Sequence, residues 1–103
     1  MLAAIAVEQE GLDSVIPETL AEAGFLYIME LDDGEIKAAL PVVGVGQILQ
    51  SVGENGCRAL IAGQIDEATR QALRDIDVLC YEGYLYRAGQ VRRLLYTGVL
   101  PCV

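Results

Sequence analysis

The order of apolar and polar positions divides the chain into short elements of two kinds. Leu2-Ala3-Ala4-Ile5-Ala6-Val7 is apolar without alternation, as expected of a strand covered on both faces. Glu8 to Pro17 reads as a loop, and Glu18 to Ala23 as a short helical turn stopped by Gly24. From Phe25 to Leu31 the pattern alternates: Phe25, Tyr27, Met29 and Leu31 share one face, with Leu26, Ile28 and Glu30 on the other. Asp32-Asp33-Gly34 carries hairpin-turn chemistry. Glu35 to Leu40 is therefore expected to return as an antiparallel strand ended by Pro41.

Beyond Pro41 the period changes. Val45, Ile48, Leu49 and Val52 fall at i, i+3, i+4 and i+7, the stripe of an amphipathic helix, closed by Gly53 and Asn55-Gly56. Cys57 to Ala62 is a second buried-type strand. Ile65, Ala68, Thr69, Ala72, Leu73 and Ile76 repeat the helical spacing behind Asp66, a suitable N-terminal cap. Val78 to Tyr81 predicts a last strand, and Val91, Leu94 and Leu95 a last helix closed by Gly98. The order is strand, turn, hairpin, then alternating helix and strand, which predicts a mixed α/β sheet with helices on its faces. Ligands of such sheets favour crevices at the carboxyl ends of strands. Gly63-Gln64 lies at such an end, before a helix N-terminus.

Composition narrows the chemistry. The 103 residues fit one compact domain over 1–103, and 53% of them are hydrophobic, enough for a core without disulfide or metal staples. The longest apolar run, Met1 to Val7, is far shorter than a membrane span, and no positive segment precedes it, so a cytoplasmic protein is expected. There is no histidine, which excludes Ser-His-Asp and Cys-His catalysis and Cys2His2 zinc sites. Three cysteines, Cys57, Cys80 and Cys102, have no C-x-x-C spacing and suit a reducing compartment. Residues 1–56 hold ten acids and one base, and residues 57–103 five acids and six arginines, giving −9 and +1 and a net charge of −8. Such a chain repels nucleic-acid phosphates.

Several stretches in this order resemble the nitrogenase iron–molybdenum cofactor biosynthesis and carrier family. Gly11-Leu12-Asp13-Ser14 is similar to that family's loop after the first strand. Phe25-Leu26-Tyr27-Ile28 through Asp33-Gly34-Glu35-Ile36 resembles its hairpin. Ala62-Gly63-Gln64-Ile65 is similar to its Ala-Gly-Gly-Ile turn, and Gly89-x-Val91-x-x-Leu94-Leu95-x-x-Gly98-x-Leu100 matches the spacing of its last helix. The resemblance implies a ribonuclease-H-like mixed sheet of about five strands, hairpin included, with helices packed on both faces. The family's usual His-Phe-Gly-Arg type motif is replaced here by Pro17-Glu18-Thr19-Leu20-Ala21-Glu22-Ala23-Gly24-Phe25, and Gln64 stands where a second glycine is usual.

By that resemblance the chain is a non-catalytic carrier of an iron–sulfur or iron–molybdenum cluster, working with a protein partner that supplies or receives it. Gly11, Asp13, Ser14, Gly63 and Gln64 would shape the pocket, and Arg87 would contact an anionic part of the cluster. A side chain at Gly63 would on this reading fill the pocket and leave the fold intact. Cys57 and Cys80 are the candidate thiolate ligands, set against the ordinary fate of a free cysteine as a small core residue. The alternative is an interaction or regulatory module on the same fold, using the acidic hairpin half and Tyr81, Tyr84, Tyr86 and Tyr96. The hairpin edge is also a candidate for pairing two chains as a homodimer.

Other patterns point less far. Glu18 and Glu22 would share one face of a helical turn, as carboxylates binding a cation do, or simply face solvent. Arg92 and Arg93 fall outside the last helix's apolar stripe and read as a solvated face. Gly44-x-Gly46 lacks the third glycine and the βαβ context of a dinucleotide loop. The first strand carries no carboxylate, so two-metal nuclease chemistry is not expected.

Overall fold

The computed structural model describes residues 1–103. Five strands form one open sheet: β1 (Leu2–Val7), β2 (Phe25–Glu30), β3 (Ile36–Pro41), β4 (Ala59–Ala62) and β5 (Leu79–Glu82), in spatial order β3-β2-β1-β4-β5. The β1–β2 and β2–β3 pairs are antiparallel, and β1–β4 and β4–β5 are parallel. Three helices, α1 (Val45–Glu54), α2 (Glu67–Asp75) and α3 (Val91–Thr97), complete the fold with 3-10 turns at Leu20–Glu22 and Ala88–Gln90.

The unbroken apolar run of β1 follows from its place at the centre of the sheet. Ala3 to Val7 are all completely buried, and alternate residues enter opposite cores. Ala4 and Ala6 join Leu26, Ile28, Leu60, Ala62 and Cys80 under Ile48 and Val52 of α1 and Leu73 of α2. Ala3, Ile5 and Val7 join Phe25, Tyr27, Met29 and Ile61 under Ile16, Val91 of α3 and Leu100. The alternation of β2 sorts as its sequence demands, Leu26 and Ile28 to the first core and Phe25, Tyr27, Met29 and Leu31 to the second. Element order and the strand faces follow the sequence expectation, with strand ends moved by one or two residues, but of the stripe expected in the second helix only Leu73 is buried, while Ala68, Ala72 and Ile76 are exposed. The hairpin register shifts at Ile28/Met29, leaving Lys37 as the bulged residue of β3.

The last helix is held to the hairpin by a group that periodicity hides. Arg92 Nε donates to the Leu31 carbonyl at 2.8 Å and Nη2 to that of Asp32 at 2.5 Å. The Tyr96 hydroxyl donates to the same Leu31 oxygen at 3.0 Å, and the guanidinium lies 5.6 Å from the Tyr96 ring centre. Arg92 is thus a clamp on the turn rather than part of a solvated face. No helix is long and apolar enough to cross a membrane.

The β5 edge is paired by the C-terminal segment, and the β3 edge is blunted at one end. Beside β5, Glu82 N–H donates to Pro101 O and Val103 N–H to Cys80 O. On β3, the Val42 N–H to Gly24 O bond extends the ladder toward β2, and the register directs the backbone groups of Ala38 and Leu40 inward. Ala39 and Pro41 therefore face outward, and proline has no N–H to offer. The Gln47 carboxamide takes most of what remains, donating to Pro41 O at 3.0 Å and accepting from Val43 N–H at 2.9 Å. A bulged lysine, a proline and this side-chain plug leave Ala39 as the main free ladder position, a usual way of blunting an edge. The double substitution Pro41→Val with Gln47→Ala is expected to increase concentration-dependent self-association in sedimentation experiments. Sedimentation identical to that of the parent would remove this role from both residues.

Candidate functional site

β1, β3, β4 and β5 run in the same direction, so the segments 8–17, 42–44, 63–66 and 83–88 meet at their shared carboxyl edge. Here the chain crosses itself at close quarters. Gln64 N–H donates to Glu18 O at 2.7 Å and Leu20 N–H to Gln64 O at 2.9 Å. A Cβ on Gly63 would lie 2.1 Å from the Pro17 oxygen and 2.3 Å from that of Glu18. Both are backbone atoms, so nothing short of moving the chain makes room. Beside the crossing opens a cleft of about 520 Å³, lined by Thr19, Leu20 and Ala21 on one side and by Gln64, Asp66 and Arg70 on another, with Glu82 from β5.

Gly63 and Gln64 both border this cleft, but in different ways. Gly63 is buried, and its missing side chain serves the crossing segment. Gln64 is exposed at the rim. The expectation that a side chain at Gly63 would fill a pocket and spare the fold is therefore corrected, because the atoms in its way belong to the backbone of Pro17 and Glu18.

Gly11, Asp13, Ser14 and Arg87 form a second group along the same edge. Arg87 Nη1 donates to Asp13 O at 2.6 Å, and the backbone N–H of Arg87 donates to Gln90 Oε1 at 2.9 Å. Ala88 N–H donates to Ser14 O, and Gly89 N–H to Leu12 O. Ser14 is buried, and its hydroxyl accepts from Gln9 N–H at 3.0 Å. Gly11 N–H donates to the Tyr27 hydroxyl at 2.6 Å. These residues hold one another, with the Arg87 guanidinium still exposed; none of them lines the cleft.

The cysteines lie apart from both groups. Cys57 and Cys80 are buried in the core beneath α1 and α2, and Cys102 is exposed. Cys57 precedes β4 at the end away from Gly63, about 20 Å of extended chain distant. Desolvation pushes the Cys57 thiol up to about 11. It raises Cys80 too, where the nearby Cys102 adds to it. A raised thiol resists becoming the thiolate that metals bind. No group of three or more cysteines, aspartates or glutamates converges as a metal-holding cluster. Of the two turn carboxylates, Glu22 accepts from the Thr19 hydroxyl at 2.8 Å, and Glu18 is exposed.

Three features escaped the sequence reading. Arg70 and Glu82 line the cleft, and Leu85 adopts a left-handed backbone, φ 73°, while 65% exposed. Helical spacing would have found the first, since Asp66, Thr69 and Arg70 fall on one side of α2 just beyond Gly63-Gln64. Nothing local marks Leu85. Asp66 itself caps α2 by accepting from Thr69 N–H at 2.7 Å, the bond that holds its carboxyl below the ordinary aspartate value.

Residues 1–97 match the model of a family described as dinitrogenase iron–molybdenum cofactor. Among solved structures, the apo form of the orange protein from Desulfovibrio gigas is similar with a TM-score of 0.85 at 14% identity, over 99% of this chain and 92% of that one. A candidate NifB protein from Thermotoga gives 0.81 at 18% identity, over 98% and 91%. A candidate dinitrogenase from Methanocaldococcus jannaschii gives 0.71 at 17%, over 97% and 93%. Identities this low carry the shared fold. No curated protein matches the sequence.

Two measurements check this geometry. Gly63→Ala is expected to lower stability by at least ~2 kcal/mol in chemical denaturation, the scale of an overpacked core site, and unchanged stability would remove the crossing as a constraint. The second concerns Cys57, whose neutral thiol is favoured in the folded state. Below pH 9 the thiol is neutral folded or unfolded and adds no pH dependence. Above pH 9 the unfolded chain ionises first, so stability falls until the folded thiol also ionises near pH 11, a loss of roughly 2 to 3 kcal/mol. Cys57→Ala should lack that component of the alkaline fall; parallel curves for the two proteins would count against it.

Proposed function

Because the chain belongs to the dinitrogenase iron–molybdenum cofactor family, we propose that it is a non-catalytic carrier that holds an iron–sulfur or iron–molybdenum type cluster as cargo in the cleft at the carboxyl edge of β4 and β5. The observation that carries this reading is the cleft itself, about 520 Å³ bounded by the Gly63-Gln64 turn and the start of α2, at the edge where open α/β sheets take their ligands. Cargo of this kind arrives with its own inorganic ligands. The protein grips it by shape and hydrogen bonds, since Cys57 and Cys80 are turned into the core. Gln64 forms part of the rim. Gly11, Asp13, Ser14 and Arg87 brace the neighbouring loop, and the exposed Arg87 guanidinium remains a second contact for an anionic cluster. The working compartment is the cytoplasm.

One observation favours a second reading, an interaction module on the same fold. Leu85 is a large apolar residue, exposed beside Tyr84 and held with φ 73° by the Leu85 N–H to Ile16 O and Tyr86 N–H to Gly83 O bonds. A bulky side chain kept in that conformation is strained and tends to persist where function needs it. On this reading the Tyr84-Leu85 tip inserts into a partner protein.

The protein, purified anaerobically without a histidine tag, should retain stoichiometric iron through gel filtration after titration with a preformed iron–sulfur cofactor precursor. No retained iron would overturn the carrier reading. Leu85→Gly should raise stability by roughly 1 kcal/mol by relieving the left-handed backbone. Its pull-down from native lysate with chelator present should at the same time lose a partner that the parent captures. Equal capture would remove the tip from the interaction reading.

A further inference from the structure

Two apolar tips project from the carboxyl edge of the sheet, and the fold holds both of them out. Val43, just past β3, is 96% exposed, and its backbone N–H is fixed by Gln47 Oε1 at 2.9 Å. Leu85, just past β5, is exposed beside Tyr84 and pinned by the Leu85 N–H to Ile16 O and Tyr86 N–H to Gly83 O bonds. Because β3 and β5 are the outer strands of the sheet, the tips stand about 19 Å apart, four strand spacings. Apolar groups fixed in this way need little further ordering when a partner covers them.

The edge between the tips is acidic and unneutralised. Glu8, Glu10, Asp13, Glu18 and Glu22 are exposed on the segment joining β1 to β2. Asp66 opens α2, and Glu82 ends β5 at the same edge. None of these carboxylates takes part in an ion pair. Arg70, the base that lines the cleft, is already held by Glu67, and within segments 8–24, 42–44, 63–66 and 83–88 the only base is Arg87. Like charges gathered at one end repel one another and weaken the compact state, so the fold itself gains nothing from this arrangement.

We propose that the carboxyl edge is a docking face for a basic protein surface, one that offers an apolar socket to Val43, another to Tyr84-Leu85, and lysines or arginines between them. The proposal rests on the interaction reading of the Tyr84-Leu85 tip and does not depend on what the cleft holds. Charge complementarity selects the partner: the edge repels nucleic acid, anionic lipid and the same edge of a second copy. The span selects it too, since a lone cation or small amine would meet the acids and neither tip. The carboxylates steer the encounter, and the two tips fix its register.

The probe is a synthetic helical peptide of leucine and lysine, roughly fifteen residues long, which at a rise of about 1.5 Å per residue reaches both tips. Its titration is followed through backbone amide shifts of the full chain. Shifts are expected at Val43, Tyr84 and Leu85 and along the acidic segments, with affinity falling as salt is added. The triple variant Glu8→Gln, Glu10→Gln, Glu18→Gln should bind about tenfold more weakly, and Leu85→Ser severalfold more weakly. A peptide of half the length, reaching one tip only, should also bind more weakly than the full one. All four substituted positions are exposed, and circular dichroism checks that each variant is folded. Shifts centred on the opposite end of the sheet, or a triple variant that binds like the parent, would overturn the face. Binding of the parent to phosphatidylserine vesicles, or its self-association through this edge in sedimentation, would overturn the choice of partner. If Leu85→Ser alone weakens binding, the tip reading stands and the basic partner fails. If the triple variant alone weakens it, the tip reading fails and the face fails with it.

Discussion

Two carbonyl oxygens, of Pro17 and Glu18, lie where a side chain on residue 63 would begin. That single approach, with the Gln64 N–H to Glu18 O and Leu20 N–H to Gln64 O bonds, ties the long first loop to the end of β4. The cleft walls follow from it. The segment through Thr19 to Ala21 is delivered opposite α2, so the space between them is set by backbone contact rather than by flexible side chains. A site built on such a joint is preorganised at low cost, because few rotamers have to be frozen when a ligand arrives.

The two cores on either side of the sheet carry the stability, and the carboxyl edge carries the candidate chemistry. Ala3, Ala4 and Ala6 are small and completely buried in β1, which lets helices on one face and the Ile16 segment on the other pack close to the sheet centre. Arg92 and Tyr96 then lock the hairpin turn to α3 at the opposite edge. The basic C-terminal half and the acidic N-terminal half are thereby joined through backbone carbonyls. Surface charge pairing plays little part, since the few ion pairs present are exposed.

The site residues named from resemblance fall into three physical situations. Gly63 is an architectural necessity, Gln64 a rim position, and Gly11, Asp13, Ser14 and Arg87 a mutually bonded brace. Cys57 and Cys80 belong to the core, with thiols raised by desolvation. Arg70, by contrast, offered no motif. Its distinction is one unmatched N–H, a property of three-dimensional surroundings that no spacing rule encodes.

The sequence by itself determined the order and kind of the elements and the faces its strands bury, though not the buried face of α2, where only Leu73 of the expected stripe is covered. Periods of 2 and 3.6 and the turn chemistry of Asp32-Asp33-Gly34 are local, and burial of alternate residues leaves each strand little choice of face. It also determined the edge where the strands end. Only the tertiary structure decided which of the residues at that edge face a cleft and which are consumed in holding it. Arg87 and Arg70 look alike along the chain, yet one finds a carbonyl at Asp13 and the other finds nothing for its Nε. Hydrogen-bond satisfaction depends on what residues distant in sequence bring within about 3 Å, and that proximity exists only once the sheet has assembled and the first loop has crossed Gly63.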